Sequence, residues 1–107
     1  MKIKTFSERV VECALSVPTG RVTTYGLIAG AAGGGAMAAQ SVTSILARAY
    51  KNGQTNIPFH RIVYAGGRIW SDPKYDEARK KLYKKEGIVI DEKNHISNFE
   101  EILYEFQ

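Results

Sequence analysis

Residues 23–50 read TTYGLIAGAAGGGAMAAQSVTSILARAY, and the triple glycine Gly33-Gly34-Gly35 divides them into two helical halves. Thr23-Thr24 offers an N-cap for a helix over about Tyr25 to Ala32, because a threonine hydroxyl can accept from an unpaired first-turn N–H. Beyond the glycines, Ala38, Val42, Ile45, Leu46 and Ala49 recur at helical spacing and predict a helix from about Met37 to Tyr50. Helix, glycine turn, helix is the outline of a helix-turn-helix. The opposite face of the second helix carries Gln40, Ser41, Ser44, Ala47 and Arg48. These are mostly small side chains, so the helix backbone could lie close to a phosphate chain. The glycine run lacks the Gly-Lys-Ser/Thr ending of a P-loop and is read as a turn.

On the N-terminal side, Thr5 and Glu8 form a capping box for a helix over about Ser7 to Ser16. Its apolar face holds Phe6, Val10, Cys13, Ala14 and Val17, and Pro18 and Gly20 end it. Cys13, on that face, reads as a core thiol rather than a reactive one. On the C-terminal side, Ile57–Tyr64 and Arg68–Trp70 look extended and joined by Ala65-Gly66-Gly67, a β-hairpin. A fourth helix is expected from about Lys74 to Lys85, with Tyr75, Ala78 and Leu82 inward and Gly87 as its left-handed stop. Ser97 and Glu100 suggest a second capping box. Phe99, Ile102, Leu103 and Phe106 then make an amphipathic helix that docks onto the domain. The predicted fold is mainly α with a short β-hairpin, a winged helix-turn-helix.

The 107 residues suit one domain, 1–107, in which about 88–107 form an acidic extension. Residues 1–87 carry 14 Lys/Arg against 6 Asp/Glu, a net +8, whereas 88–107 carry 1 against 5, a net −4, consistent with +4 overall. A basic body fits either a nucleic-acid footprint or a solvated surface. No apolar stretch is long enough for a bilayer and no signal peptide is evident, which predicts no membrane partner and cytoplasmic residence, or nuclear in a eukaryote. The single cysteine excludes an internal disulfide and a cysteine-rich zinc site. No metal or cofactor is expected.

Two blocks carry chemistry: Arg21-Val22-Thr23-Thr24-Tyr25-Gly26 and Ile57-Pro58-Phe59-His60-Arg61-Ile62-Val63. With Gly66-Gly67 and Glu86-Gly87 they resemble, in order, the active-site domain of the O6-alkylguanine-DNA alkyltransferases, over roughly residues 5–90. That family carries Pro-Cys-His-Arg where this chain has Pro58-Phe59-His60-Arg61. A phenyl ring has no ionisable proton and no nucleophilic lone pair, so it cannot accept an alkyl group. The chain therefore looks most like the alkyltransferase-like proteins, which lack the cysteine and bind alkylated DNA without repairing it.

The resemblance implies roles residue by residue. His60 and Glu86 match the pair that activates the cysteine; here they are read as a retained structural hydrogen bond, and no residue is catalytic. Tyr25 matches the tyrosine that helps rotate a nucleotide out of the duplex. A lesion pocket would be lined by Tyr25, Phe59, Val63 and Trp70, with a core tryptophan as the alternative reading of Trp70. DNA contacts would come from Arg21, Thr24, Tyr25, Gln40, Ser41, Ser44, Arg48 and Arg61. Gln40 stands where the family carries an arginine that fills the gap left by the flipped base, which predicts weaker binding. His95 receives no role.

The leading expectation is recognition of O6-alkylguanine in double-stranded DNA by a monomer that presents the lesion to nucleotide excision repair proteins. A lesion-independent winged-helix module is the alternative. A third reading, alkyl transfer through Cys13, requires that residue to leave its apolar face.

Overall fold

The computed structural model describes residues 3–35, 38–70 and 72–106. The capping box at Thr5 opens α1 (Phe6–Ser16): the Thr5 hydroxyl accepts from the Glu8 N–H at 3.1 Å, and the Glu8 carboxylate accepts from the Thr5 N–H at 3.3 Å. There follow β1 (Thr23–Thr24), α2 (Tyr25–Ala31), α3 (Ala39–Lys51), β2 (Ile62–Val63), α4 (Asp76–Glu86) and α5 (Phe99–Ile102). Single 3-10 turns occupy Phe59–Arg61 and Ala65–Gly67. The expected start of the third helix at Met37 lies outside the described residues.

Helices α1, α2 and α3 meet over Val10, Ala14, Ile28, Val42 and Leu46, each fully buried. Burial of each branched chain contributes roughly 1.5–3 kcal/mol. The turn between α2 and α3 is held close. A Cβ added to Gly34 would lie 2.5 Å from the Ala38 Cβ and 2.8 Å from the Phe6 ring. As the sequence predicts, Gln40, Ser41, Ser44, Ala47 and Arg48 remain exposed on the outer face of α3.

The expected hairpin is not what forms. β2 pairs in parallel with β1, Thr23 opposite Ile62 and Thr24 opposite Val63. The turn itself closes, with the Tyr64 N–H donating to the Arg68 carbonyl at 2.9 Å. Its second arm then leaves: Arg68 bridges to His95, and the Ile69 N–H donates to the Asn94 carbonyl. Two-residue strands carry too little alternation to declare a partner, so their pairing is set by tertiary packing. The consequence is functional, because the pairing sets the start of α2 beside the end of the Phe59–Arg61 turn.

A second core gathers Val22, Val63, Tyr83, Ile88 and Ile96. It corrects the orientation of α4. Tyr75 and Leu82 are 47% and 41% exposed and Ala78 is exposed, whereas Tyr83 is buried. Asp76, Arg79 and Glu86 share the Tyr83 side at helical spacing, so the inward face is largely polar and hydropathy points the wrong way. Gly87 ends the helix as expected, at φ 74°.

The tail docks through side chains, Phe99 and Ile102 against the second core and Phe106 against the first, and through backbone bonds. The Val22 N–H donates to the Ile102 carbonyl at 3.1 Å, and the Tyr104 N–H donates to the Val22 carbonyl. α5 has only 4 residues, its N-cap is Asn98 and no side-chain cap bond forms, so the Ser97–Glu100 capping box is absent.

Candidate functional site

Glu86, at the last turn of α4, is the hub of the site. Its side chain is 5% exposed and its two oxygens receive four hydrogen bonds from three directions. Arg61 approaches in a fork, Nε to Oε1 at 3.0 Å and Nη2 to Oε2 at 3.0 Å. The Gly20 N–H donates to Oε1 at 2.8 Å, and His60 Nε2 lies 2.5 Å from Oε2. Burial alone would raise the carboxyl pKa. Here the bonds from Arg61, Gly20 and His60 outweigh it and hold that pKa down at about 2. The carboxylate therefore stays charged across the physiological range. The Arg61 fork also reaches the Val17 carbonyl and the Thr19 hydroxyl, both at 3.1 Å. Together these bonds tie the end of α1, the Phe59–Arg61 turn and α4 into one unit.

The His60–Glu86 hydrogen bond expected from the sequence is thus present, with Tyr83 packed edge-on against the imidazole at 6.0 Å. The preceding residue supplies no group for it to activate. The Phe59 ring is 41% exposed and meets Tyr50, near the end of α3, edge-to-face at 6.0 Å. Cys13 packs against the first core, and burial followed by the nearby Glu12 charge pushes its thiol pKa upward. That environment disfavours a thiolate.

Tyr25 opens α2 and stands 5.6 Å from Tyr64, the residue directly after β2. Burial, then Tyr64, raises the Tyr25 phenol pKa, with Arg79 opposing. Its hydroxyl is accordingly protonated and can donate a hydrogen bond at neutral pH. Trp70 is no core tryptophan: it is 44% exposed, with the Arg79 guanidinium 4.8 Å from its ring centre.

Four residues expected to face DNA or the lesion are spent internally. Arg61 is held by Glu86, because a guanidinium fork matches a buried carboxylate better than it matches water. Arg21 donates to the Ile102 and Leu103 carbonyls at 2.9 and 2.7 Å, so it clasps the tail. The Thr24 hydroxyl caps α2, accepting from the Leu27 N–H at 3.1 Å. Val63 is 1% exposed in the second core and lines no open pocket.

Sequence reasoning passed over Tyr64, Arg68 and Arg79. Tyr64 carried a legible signal, an aromatic residue between the apolar Ile62-Val63 pair and the Ala65-Gly66-Gly67 turn; in the structure it is 37% exposed, with Arg68 4.8 Å over its ring. Arg79 gave none, being one of several cations in a basic helix. A groove of about 800 Å³ runs between α4 and residues 88–94, and neither Tyr25 nor Phe59 lines it. Among the described residues no cluster of three or more His, Cys, Asp or Glu side chains could hold a metal ion.

The family profile "6-O-methylguanine DNA methyltransferase, DNA binding domain" matches residues 5–88. The fold is similar to S. pombe Atl1 in complex with damaged DNA containing O6-carboxymethylguanine. The TM-score is 0.77 and identity 23%, over 99% of this chain and 100% of that one. S. pombe ATL in complex with DNA aligns with a TM-score of 0.73 and 24% identity over the same shares. Mycobacterium tuberculosis O6-methylguanine methyltransferase aligns with a TM-score of 0.57 and 26% identity, over 79% of this chain and 50% of that one. No curated protein matches the chain by sequence.

Proposed function

The chain belongs to the 6-O-methylguanine DNA methyltransferase family through its DNA-binding domain, and on that premise we propose that it recognises O6-alkylguanine in duplex DNA without repairing it. α3 docks on the duplex through Gln40, Ser41, Ser44 and Arg48, whose small neighbours permit close approach to a groove. The damaged nucleotide rotates out past Tyr25 and is received against Phe59. An aromatic contact with a base is worth roughly 1–3 kcal/mol, enough for about a tenfold preference. The protein then presents the lesion to another repair pathway, with nucleotide excision repair proteins as the expected recipients.

The observation that carries this reading is Phe59 itself. A half-exposed phenyl ring stands next to His60, which is hydrogen-bonded to Glu86, in the motif where the family places its cysteine. The activating pair is present and there is nothing at residue 59 to activate. The fold shared with S. pombe Atl1, crystallised on damaged DNA, supports the same reading. Gln40, exposed and uncharged at the start of α3, favours a second reading, lesion-independent DNA binding. Affinity for one duplex with and without a single O6-methylguanine, measured for the wild type and Tyr25→Phe, separates the two. Lesion preference that shrinks in the variant supports flipping; equal affinity for both duplexes in the wild type leaves only the general module.

A further inference from the structure

The cations of the basic body are unevenly placed. The outward side of α3 and its last turn offer Arg48 and Lys51, whereas the α4 segment exposes Lys74, Lys81 and Lys85, and also Lys80 and Lys84, which line the groove they share with Asp91 and Glu92. Three large rings are open to water: Trp70 at 44% and Tyr75 at 47% exposed at the start of α4, and Tyr64 at 37% beside Tyr25. Each has a cation over it: Arg68 at 4.8 Å from Tyr64, Arg79 at 4.8 Å from Trp70 and Lys74 at 5.4 Å from Tyr75. Trp70 and Tyr75 are neighbours, 6.1 Å apart and tilted by 35°. Arg79 is itself anchored, pairing with Asp76 at 3.5 Å and donating to the Trp70 carbonyl.

Half-exposed rings with cations over them, next to a helix rich in exposed lysines, have a specific chemistry. The rings offer π-faces to flat partners, and the lysines neutralise a polyanion. A duplex presents phosphates and groove edges, with its base faces already stacked on one another. An unpaired strand presents both free base faces and phosphates, and it matches a surface of interleaved rings and cations.

We propose that the face formed by Trp70, Tyr75 and the lysines of α4 is a second nucleic-acid site, which binds single-stranded DNA irrespective of any lesion. Trp70 is also expected at the lesion pocket, but Tyr75 and Lys81 belong neither to that pocket nor to α3, so the two readings are tested separately. It would let the protein hold an unpaired strand while α3 engages duplex.

Trp70 is the single tryptophan of the chain and so an internal reporter. The test is titration of the full chain with an unmodified 16-nucleotide oligo(dT), followed by tryptophan fluorescence and by anisotropy of labelled oligonucleotide, at two salt concentrations. Saturable quenching is expected, with affinity falling as salt rises. Tyr75→Ala combined with Lys81→Gln should weaken binding roughly tenfold or more while thermal melting shows the variant folded. Its affinity for lesion-bearing duplex should be unchanged, which keeps this test distinct from failure of lesion recognition. Absence of quenching, unaltered affinity in the folded double variant, or equal binding of poly-glutamate would each overturn the proposal. The last would mean that charge alone, with an acidic polypeptide as partner, explains the surface.

Discussion

Replacing Glu86 by glutamine should remove the bond that closes the site, and its effect should depend on pH with a definite sign. In the folded protein the carboxyl pKa falls from 4.5 to about 2. A depressed folded value means that the unfolded chain binds the extra proton first, so this group stabilises the fold above its unfolded pKa. The contribution is lost as pH falls from about 5 towards 2. The shift corresponds to at most about 3 kcal/mol. Leaving Arg61 beside a neutral amide, mostly buried at 18% exposure, points to a cost of similar size. For a domain of this length that is a loss on the order of 10 °C or more in melting temperature at pH 7. Urea unfolding of the wild type and Glu86→Gln, run from pH 7 down to pH 2.5, measures the difference directly. The gap should be about 3 kcal/mol at pH 7 and should shrink steadily below pH 5 as the wild type loses its advantage. A gap that stays constant to pH 3 would refute the reasoning, since it would mean that the carboxyl titrates alike folded and unfolded.

Other expectations follow from the same geometry. Arg48→Ala should weaken duplex binding irrespective of sequence and lower the slope of log affinity against log salt by about 1, measured by anisotropy. Arg61→Ala should instead act on stability, lowering the melting temperature by several degrees through the unpaired Glu86. Gly34→Ala should cost roughly 1–3 kcal/mol in urea unfolding, because the new methyl meets Ala38 and Phe6, whereas Gly35→Ala, with open space around it, should lack that steric cost. Cys13 should react slowly with a thiol reagent in the native protein and quickly in urea, followed by absorbance.

Much of the helical frame was legible because its signals are local. Thr5 with Glu8, Thr24 ahead of Tyr25 and Gly87 after Glu86 each act within one turn of the helix they bound, and each does so in the structure. The apolar stripes of α1 and α3 likewise declared their buried faces. What stayed hidden depends on partners distant in sequence. The parallel pairing of Thr23–Thr24 with Ile62–Val63 involves two residues per strand, too few to show a period. The orientation of α4 was misread because its inward face carries Asp76, Arg79 and Glu86, and polar residues face inward only where partners such as Arg61 await them. The same difficulty misplaced Arg21 and Arg61. A cation bound for a carbonyl or a buried carboxylate looks, in sequence, like one bound for phosphate.

The most direct test of recognition without repair is to incubate the protein with a duplex bearing one O6-[³H-methyl]guanine, in competition with an unlabelled undamaged duplex, and to follow the label. The account predicts that labelled DNA is retained preferentially, that O6-methylguanine is recovered intact from the complex, and that no label remains on the denatured protein. Label on the polypeptide, or retention no better than that of undamaged duplex, would contradict it.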